Sequence, residues 1–413
     1  MSTIDGLLRE SVRRYPLKTA LRHKEAGTWR DLSYRALSSH VERISSGLHN
    51  GGFVPGDRAA IIGPSSSRWV AAYLGILRTG GVVVPIDKEL KSAELRHILA
   101  DSEARVLFVD WTHLDMILEM VDDLAEVERI VLLHDHPQAK AADTPEKELL
   151  REVRNELKGF LGQLPLSPEQ TARLNSLVQK VSSLAGTDGS GNSGKEEVDD
   201  PLSPPRSISR SLARSGRLLL FEGLCRDEKA PEPVHAPTDT ALILYTSGTT
   251  GRSKGAILSH GNIVSNIRAA ASRFDVDSSM HTLSFLPINH VFEQVCALLL
   301  PLSVGGMVSF AESLKKLGEN LVEVRPTFFT GVPAVYRLFY DRIMKNIRGK
   351  AISNLLFSMP LARRLVVSRI KKNFAGGTMF ISGGAALDPE IASGLMRIGF
   401  TIFQGYGVTE TSP

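Results

Sequence analysis

The chain has few cysteines and no long apolar run. Its 413 residues include two cysteines, Cys225 and Cys296. Two cysteines so far apart form neither a disulfide framework nor a metal-ligand cluster, and the expected setting is a reducing cytosol. No stretch of about 18 uninterrupted apolar residues occurs, and residues 1–15 lack the apolar segment of a signal peptide. We therefore expect neither a leader nor a membrane-spanning helix.

A strong charge of one sign is also absent. Lysine and arginine number 49 and aspartate and glutamate 45, which leaves a net charge of +4. So small an excess does not predict nucleic-acid binding. The composition, 42% hydrophobic and 23% charged, is that of an ordinary globular protein. The length exceeds what one simple core organises, so we expect two or more lobes.

Short apolar runs alternate with helical patterns at both ends of the chain. Residues 59–62 and 106–109 are of buried-strand type, and a helical pattern at 67–78 lies between them. Strand–helix alternation predicts an α/β fold with parallel sheets flanked by helices. The pattern fills residues 1–135 and returns in residues 236–413.

Residues 136–235 have a different texture. Two helical patterns, at 146–164 and 167–184, precede a run of glycine, serine and aspartate. Such a run cannot bury enough apolar surface to offset its ordering entropy. We predict that residues 136–235 are an insertion, consisting of a helical hairpin and a mobile linker.

The segment with the most informative chemistry lies between Tyr245 and Gly255. An apolar strand leads into a loop of glycines and hydroxyl residues that contains Lys254, and a helix with Ser259 as N-cap follows. Its apolar face would carry Ile263, Ile267 and Ala270. Glycines let backbone N–H groups approach phosphate oxygens, and Lys254 adds a positive charge. The segment predicts a polyphosphate site, with a flexible polar loop as the alternative.

The loop is not a Walker A motif, because Lys254 follows a serine and precedes a glycine. A P-loop NTPase is therefore disfavoured. Five further segments that contain glycine, proline or polar residues among apolar ones occur along the chain, at 77–87, 286–293, 325–336, 382–387 and 404–410.

These segments, in this order, resemble the adenylate-forming (AMP-binding) superfamily, and residues 325–336 look like long-chain fatty-acid–CoA ligases. The resemblance covers most of residues 1–135 and 236–413. It implies two interleaved lobes with largely parallel sheets flanked by helices, without most of the family's β-barrel subdomain and without its C-terminal lid domain. The loop residues that would bind the β- and γ-phosphates of ATP are Thr246, Ser247, Gly248, Thr249, Thr250, Gly251 and Lys254.

The resemblance also implies roles for the later segments. His290 would lie beside the acyl carboxylate, and Gly383, Gly384 and Ala385 would border the adenine and the acyl tunnel. In the last segment, which includes Gln404, Gly405 and Gly407, Tyr406 would stack on adenine, Thr409 would contact the α-phosphate and Glu410 would hold Mg²⁺. The residue types suit these roles: an aromatic face, a hydroxyl and a hard carboxylate. Lys254, His290, Thr409 and Glu410 are the implied catalytic residues.

The function implied is ATP-dependent activation of a medium- to long-chain fatty acid as acyl-adenylate, followed by transfer to CoA. Transfer to a carrier protein and a non-catalytic nucleotide- or acyl-binding module are the alternatives. The implied partners are the fatty acid, ATP and CoA, with no nucleic acid, and the oligomeric state stays open. A full-length member would continue past Pro413 into its lid domain, so we expect this chain to bind nucleotide weakly and to form adenylate slowly or not at all.

Residues 337–372 hold ten lysines and arginines and one acidic residue, Asp341, interleaved with apolar side chains. Such a stretch is typical of a helix on an anionic membrane surface. A solvated helix face that packs on its own lobe is the alternative. The expected location is the cytoplasm, with membrane association under the first interpretation.

Overall fold

The computed structural model describes residues 2–25, 27–134, 217–228, 235–246, 252–349, 362–371 and 378–412, together with Glu232, Phe357 and Met359. The elements below belong to one compact unit formed by residues 1–133 and 210–413.

The strands of this described part form two sheets of seven. Sheet A contains, in chain order, β1 (Thr19–Glu25), β2 (Thr28–Ser33), β10 (His281–Ser284), β11 (Met307–Phe310), β12 (Phe328–Gly331), β13 (Met379–Ser382) and β14 (Thr401–Gln404). Sheet B contains β3 (Arg58–Ile62), β4 (Val82–Ile86), β5 (Ala104–Val109), β6 (Arg129–Leu132), β7 (Leu218–Leu220), β8 (Thr240–Thr246) and β9 (Lys254–Ser259).

In space, sheet A runs β14-β13-β12-β10-β11-β1-β2 and sheet B runs β7-β6-β5-β3-β4-β8-β9. Neighbouring strands are parallel except for one antiparallel pair at an edge of each sheet, β1–β2 and β8–β9. The strands of the described ranges form no closed barrel. The α/β fold with largely parallel sheets is therefore confirmed.

The α-helices of the described ranges are α1 (Ile4–Arg14), α2 (Tyr34–Asn50), α3 (Ser67–Arg78), α4 (Ser92–Asp101), α5 (Leu114–Met120), α6 (Phe221–Leu224), α7 (His260–Phe274), α8 (Val291–Glu293), α9 (Leu300–Val304), α10 (Leu317–Val324), α11 (Pro333–Arg348), α12 (Arg363–Lys371) and α13 (Pro389–Arg397). Helix α1 precedes the first strand, and the other α-helices lie between or after strands along the chain. A π-helical segment, Gln294–Leu299, joins α8 to α9. None of them is both long and apolar enough to cross a membrane.

Both faces of each sheet are covered by helices. Along β3, Ala59 and Ile61 belong to a core shared with sheet A, whereas Ala60 and Ile62 face a second core with α4 and α5. Successive strand residues point to opposite faces, so a strand buried on both sides is an uninterrupted apolar run. This explains why the run at 59–62 was recognisable from the sequence.

One described strand lies inside the range predicted as an insertion. Strand β7 pairs in parallel with β6, and α6 follows it with Phe221 and Leu224 buried. The α/β core therefore includes residues 217–228, which the predicted boundary at 236 left out, because three leucines are too short a run to show a strand period. The predicted helical hairpin and linker lie outside the described residues.

The packing of α6 against α2 predicts how a methyl group added at Gly47 changes the free energy of unfolding. A Cβ at Gly47 in α2 would collide with the backbone carbonyl of Leu224, whereas a Cβ at Gly223 would meet no atom within 4 Å. We expect Gly47→Ala to lower the free energy of unfolding by about 1–3 kcal/mol, because overpacking forces the backbone to shift. Urea denaturation of both variants measures this, with Gly223→Ala as the matched control. A Gly47→Ala protein as stable as Gly223→Ala would show that α6 does not pack on α2.

Candidate active site

Four neighbouring strands of sheet A end side by side. Strands β10, β12, β13 and β14 are parallel, and Gly331, Ser382 and Gln404 are register partners at their carboxyl ends. The N–H of Gly383 donates to the carbonyl of Gly331 at 3.0 Å, and the N–H of Gly405 donates to that of Ser382 at 2.8 Å. Ligands of open α/β sheets bind at this edge. The structure thus brings four of the predicted segments to one edge, namely 286–293, 325–336, 382–387 and 404–410.

The turn after β13 requires glycine at two positions. A Cβ at Gly383 would lie 2.8 Å from the ring of Phe292, and Gly384 has a φ of +79°. The next residue, Ala385, is exposed together with Gly384. The absence of side chains therefore leaves the backbone of this turn open to a flat ligand.

His290 immediately precedes helix α8 and is exposed. Its N–H donates to the carbonyl of Pro287, and its own carbonyl accepts from the N–H of Gln294, both at 3.1 Å. Because Phe292 packs on Gly383, the turn that carries His290 is held against the turn after β13. The imidazole is thus presented to solvent at the carboxyl edge of sheet A.

A fully buried carboxyl group fixes that turn from below. Glu293 is 0% exposed. Its Oε1 accepts from the hydroxyl of Ser284 at 2.6 Å and from the N–H of Phe285 at 3.2 Å, and its Oε2 accepts from the hydroxyl of Thr330 at 3.2 Å. Glu293 therefore ties the ends of β10 and β12 to the start of α8. The sequence motifs assign Glu293 no role, and the signal that could have found it is an acidic residue inside a largely apolar run.

Burial raises the pKa of Glu293 to about 7, although the hydrogen bonds from Ser284 and Thr330 oppose the shift. Burial, reinforced by the nearby Glu293 charge, raises the pKa of the Cys296 thiol to about 12. A thiol with so high a pKa is not a nucleophile at neutral pH.

The segment after β14 presents its side chains to solvent. Tyr406 is 96% exposed, Gln404, Gly405, Gly407 and Glu410 are also exposed, and Thr409 is half-buried. Thr409–Thr411 forms a 3₁₀ turn. An exposed aromatic ring followed by a hydroxyl and a carboxylate gives this turn the groups that a nucleotide needs.

The predicted phosphate loop is a hairpin connection in sheet B. Thr246 at the end of β8 pairs with Lys254 at the start of β9, so a strand separates the loop from the helix that we expected to follow. Ser247, Gly248, Thr249, Thr250 and Gly251 lie outside the described residues. The imidazole Nε2 of His97 lies 3.1 Å from the carbonyl oxygen of Ser253.

The predicted start of the following helix is confirmed. The hydroxyl of Ser259 accepts from the N–H of Asn262 at 3.1 Å and caps α7. Ile263 and Ile267 are buried in the core between the sheets, and Ala270 packs against it.

The hairpin of sheet B and the last turn of sheet A meet. The Thr409–Thr411 turn lies against β9, and the side-chain amide of Asn266 in α7 donates to the carbonyl of Ser412. The strand that begins at Lys254 therefore lies against the turn that contains Thr409 and Glu410. The combination of an ammonium, a hydroxyl and a carboxylate is complementary to a polyphosphate with a divalent cation.

The residues present fit a metal shared with a ligand. Within the described ranges, no group of three or more His, Cys, Asp or Glu side chains could hold an ion alone. Mg²⁺ in nucleotide sites is commonly held by one or two carboxylates and by the phosphates themselves. Glu410, an exposed carboxylate beside the hairpin, fits that mode.

The buried carboxyl group predicts a pH dependence of stability. The folded pKa of Glu293, about 7, exceeds the reference value of 4.5. Between these values the folded state holds a proton that the unfolded state releases, so the free energy of unfolding falls as pH rises and the loss ends above the folded pKa. We expect a loss of about 3 kcal/mol, absent in Glu293→Gln.

Urea denaturation at about pH 5 and about pH 8 measures this difference. The exposed Glu410→Gln variant is the control and should keep the pH dependence of the parent. Equal pH dependence in the parent and Glu293→Gln would rule out Glu293 as its source.

Comparison with known proteins shows which family the chain belongs to. The family model described as AMP-binding enzyme matches residues 8–413. The chain is similar to the peroxisomal long chain acyl-CoA synthetase 6 of Arabidopsis thaliana (33% identity; 47% of this chain, 30% of that protein). It is also similar to the human long-chain-fatty-acid–CoA ligase ACSBG2 (24% identity; 99% of this chain, 56% of that protein). The chain therefore spans little more than half the length of the human protein, the relative that it matches over almost all of its own residues.

Among solved structures, the A-PCP didomain of carboxylic acid reductase from Segniliparus rugosus in complex with AMP has the same fold. The TM-score is 0.70 at 18% identity, over 98% of this chain and 53% of that chain. A family match over nearly all residues, two sheets of the matching architecture and the clustered motif residues agree with one another. The chain belongs to the AMP-binding enzyme family.

Proposed function

We propose that the protein activates a medium- to long-chain fatty acid with ATP, giving acyl-adenylate and pyrophosphate, and that the acyl group then passes to CoA. The observation that supports this most directly is the meeting of the Lys254 hairpin with the Thr409–Thr411 turn. The names of the similar proteins, which are long-chain acyl-CoA synthetases and ligases, support a fatty acid and CoA as substrates.

The proposed reaction needs positioned charges and no covalent side chain. A carboxylate oxygen of the fatty acid attacks the α-phosphorus, and the bond to the pyrophosphate oxygen breaks. Lys254 and the hairpin hydroxyls would hold the β- and γ-phosphates, the hydroxyl of Thr409 would donate to the α-phosphate, and His290 would orient the attacking carboxylate. Mg²⁺ held by Glu410 would supply further neutralisation of phosphate charge. Catalysis of this kind rests on positioning and on electrostatic stabilisation.

The open carboxyl edge of sheet A suits the remaining parts of the ligand. Tyr406 offers an exposed aromatic face to the adenine, and the turn at Gly383–Ala385 exposes backbone beside it. We also propose that the protein acts in the cytoplasm and that residues 337–372 contact membranes. A carrier-protein acceptor is the second candidate, supported by the AMP-bound similar structure that contains a PCP domain.

Exchange of pyrophosphate into ATP, with Mg²⁺ present, tests the proposal. We expect exchange that depends on octanoate or palmitate and not on acetate or an aromatic acid. Lys254→Ala and Glu410→Ala should each reduce it by about 10²-fold or more, because each removes a preorganised charge from the transition state.

The exposed variants Lys315→Ala and Glu126→Ala are the matched controls and should exchange like the parent. A calorimetric titration with a non-hydrolysable acyl-adenylate analogue distinguishes an assembled site that turns over slowly from no site. Exchange that is unaffected by both site variants, or an analogue that does not bind, would contradict the proposal.

Tyr406 gives a separate prediction, on binding alone. Its ring is 96% exposed, so Tyr406→Ala should change the free energy of unfolding by less than about 0.5 kcal/mol. Loss of base stacking should weaken ATP binding by about 1–3 kcal/mol. Calorimetric Kd values and urea denaturation measure the two effects, and Tyr406→Phe, which keeps the ring, should bind like the parent. An unchanged Kd in Tyr406→Ala would remove Tyr406 from the adenine site.

A further inference from the structure

Exposed large hydrophobic side chains are concentrated in one interval of the described sequence. Twelve such residues are exposed, and five of them lie between residues 314 and 365. These five are Leu314, Val322, Leu338, Met359 and Leu365, with exposed fractions of 69%, 43%, 71%, 51% and 69%. Single exposed leucines are ordinary, whereas a group of them marks an interaction surface.

Leu314, Val322 and Leu338 line a groove on the outer face of sheet A, with Leu365 on helix α12 at its side. Helices α10, α11 and α12 form its walls, and its volume is about 750 Å³. The walls are largely apolar, with Leu317 and Leu321 on α10, Phe339 and Ile343 on α11, and Val366 and Ile370 on α12. We call this feature the outer groove.

The outer groove is separate from the candidate active site. Phe329, which lines the groove, belongs to the core on the outer face of sheet A. Val291 and Val295, beside His290 and Glu293, belong to the core between the two sheets. A ligand in the groove would therefore lie across the sheet from the helix that carries His290.

Positive charge accompanies the exposed apolar residues. Residues 337–372 contain ten of the 49 lysines and arginines of the chain and one of its 45 acidic residues. The stretch carries +9, so the rest of the chain carries −5. Arg342 and Arg369 line the groove, and both are exposed.

One of the two acidic residues that line the groove is already paired with a cation that lies outside it. Glu323 lies 2.6 Å from the ammonium of Lys24 and accepts from the indole N–H of Trp29 at 3.1 Å. These partners lower the pKa of Glu323, with the Lys24 hydrogen bond as the largest cause. Glu319 is the other acidic residue at the groove.

We propose that the outer groove and its exposed leucines are a docking surface for an anionic lipid bilayer. Leu338 and Leu365 would enter the acyl region, and Arg342 and Arg369 would contact the lipid headgroups. An amphipathic surface of this kind binds through buried apolar area together with attraction to anionic lipid. The inference deepens the proposed membrane contact by naming the surface, and it does not depend on adenylation.

Flotation of the whole chain with phosphatidylcholine vesicles, with and without phosphatidylserine, tests the inference. We expect binding that requires phosphatidylserine and weakens as salt screens the headgroup charge. The double variants Leu338→Ser/Leu365→Ser and Arg342→Gln/Arg369→Gln should each lower the partition coefficient by about tenfold or more.

The controls are Leu17→Ser, at a leucine that is 77% exposed elsewhere, and Arg35→Gln, at an exposed arginine of α2. Both should float like the parent, and all variants should keep the parent's thermal unfolding midpoint. Absence of binding to phosphatidylserine vesicles at low salt would overturn the inference. So would binding to neutral vesicles as strong as to phosphatidylserine vesicles, or vesicle binding by the two double variants as strong as that of the parent. Self-association lost in the groove variants, without vesicle binding, would assign the surface to a second copy of the chain instead.

Discussion

The structure depends on a layer of helices that is buried between two sheets. Residues of both sheets, such as Ile61 of sheet B and Phe328 of sheet A, belong to one core together with the apolar face of α7. Burial of this shared surface is the largest favourable contribution to folding. Helix α7 extends the arrangement to the ligand edge, because it starts directly after Ser259, the last residue of β9, and its Asn266 donates to the carbonyl of Ser412. Packing between the sheets thereby sets where Lys254 and Glu410 lie.

The burial of Glu293 in this layer has an unfavourable desolvation free energy. A carboxyl group without solvent contact loses hydration, and the hydrogen bonds from Ser284, Phe285 and Thr330 offset part of that loss. An apolar residue of similar size would fill the space, but it could not join two strand ends to the first turn of α8. The carboxyl group holds the turn that presents His290, which gives a physical reason for a polar group in this core.

The local hydrophobic pattern of the sequence was enough to predict the elements that are buried on both faces. The run at 59–62 is β3, and the helical pattern at 67–78 is α3. Strand β9 was missed because its burial alternates irregularly and it pairs on one side only, at a sheet edge. The order of the motifs implied which residues would form the site. The hydrogen bonds of Glu293 could not be predicted in this way, and neither could the contact between β9 and the Thr409–Thr411 turn. Both join residues far apart in the sequence, which local hydrophobic periodicity does not detect.

Strand β12, which is four residues long, lies between the candidate active site and the outer groove. Phe328 and Thr330 face the layer between the sheets, and Phe329 faces the outer core. Because successive side chains of a strand point to opposite faces, a change on one face leaves the contacts of the other in place. Substitutions on the exposed outer helices should therefore leave the Glu293 hydrogen bonds intact, so the proposed membrane docking and the proposed adenylation can be tested separately in one folded chain. The backbone of β12 is common to both, so a ligand that displaced this strand would be needed to couple them.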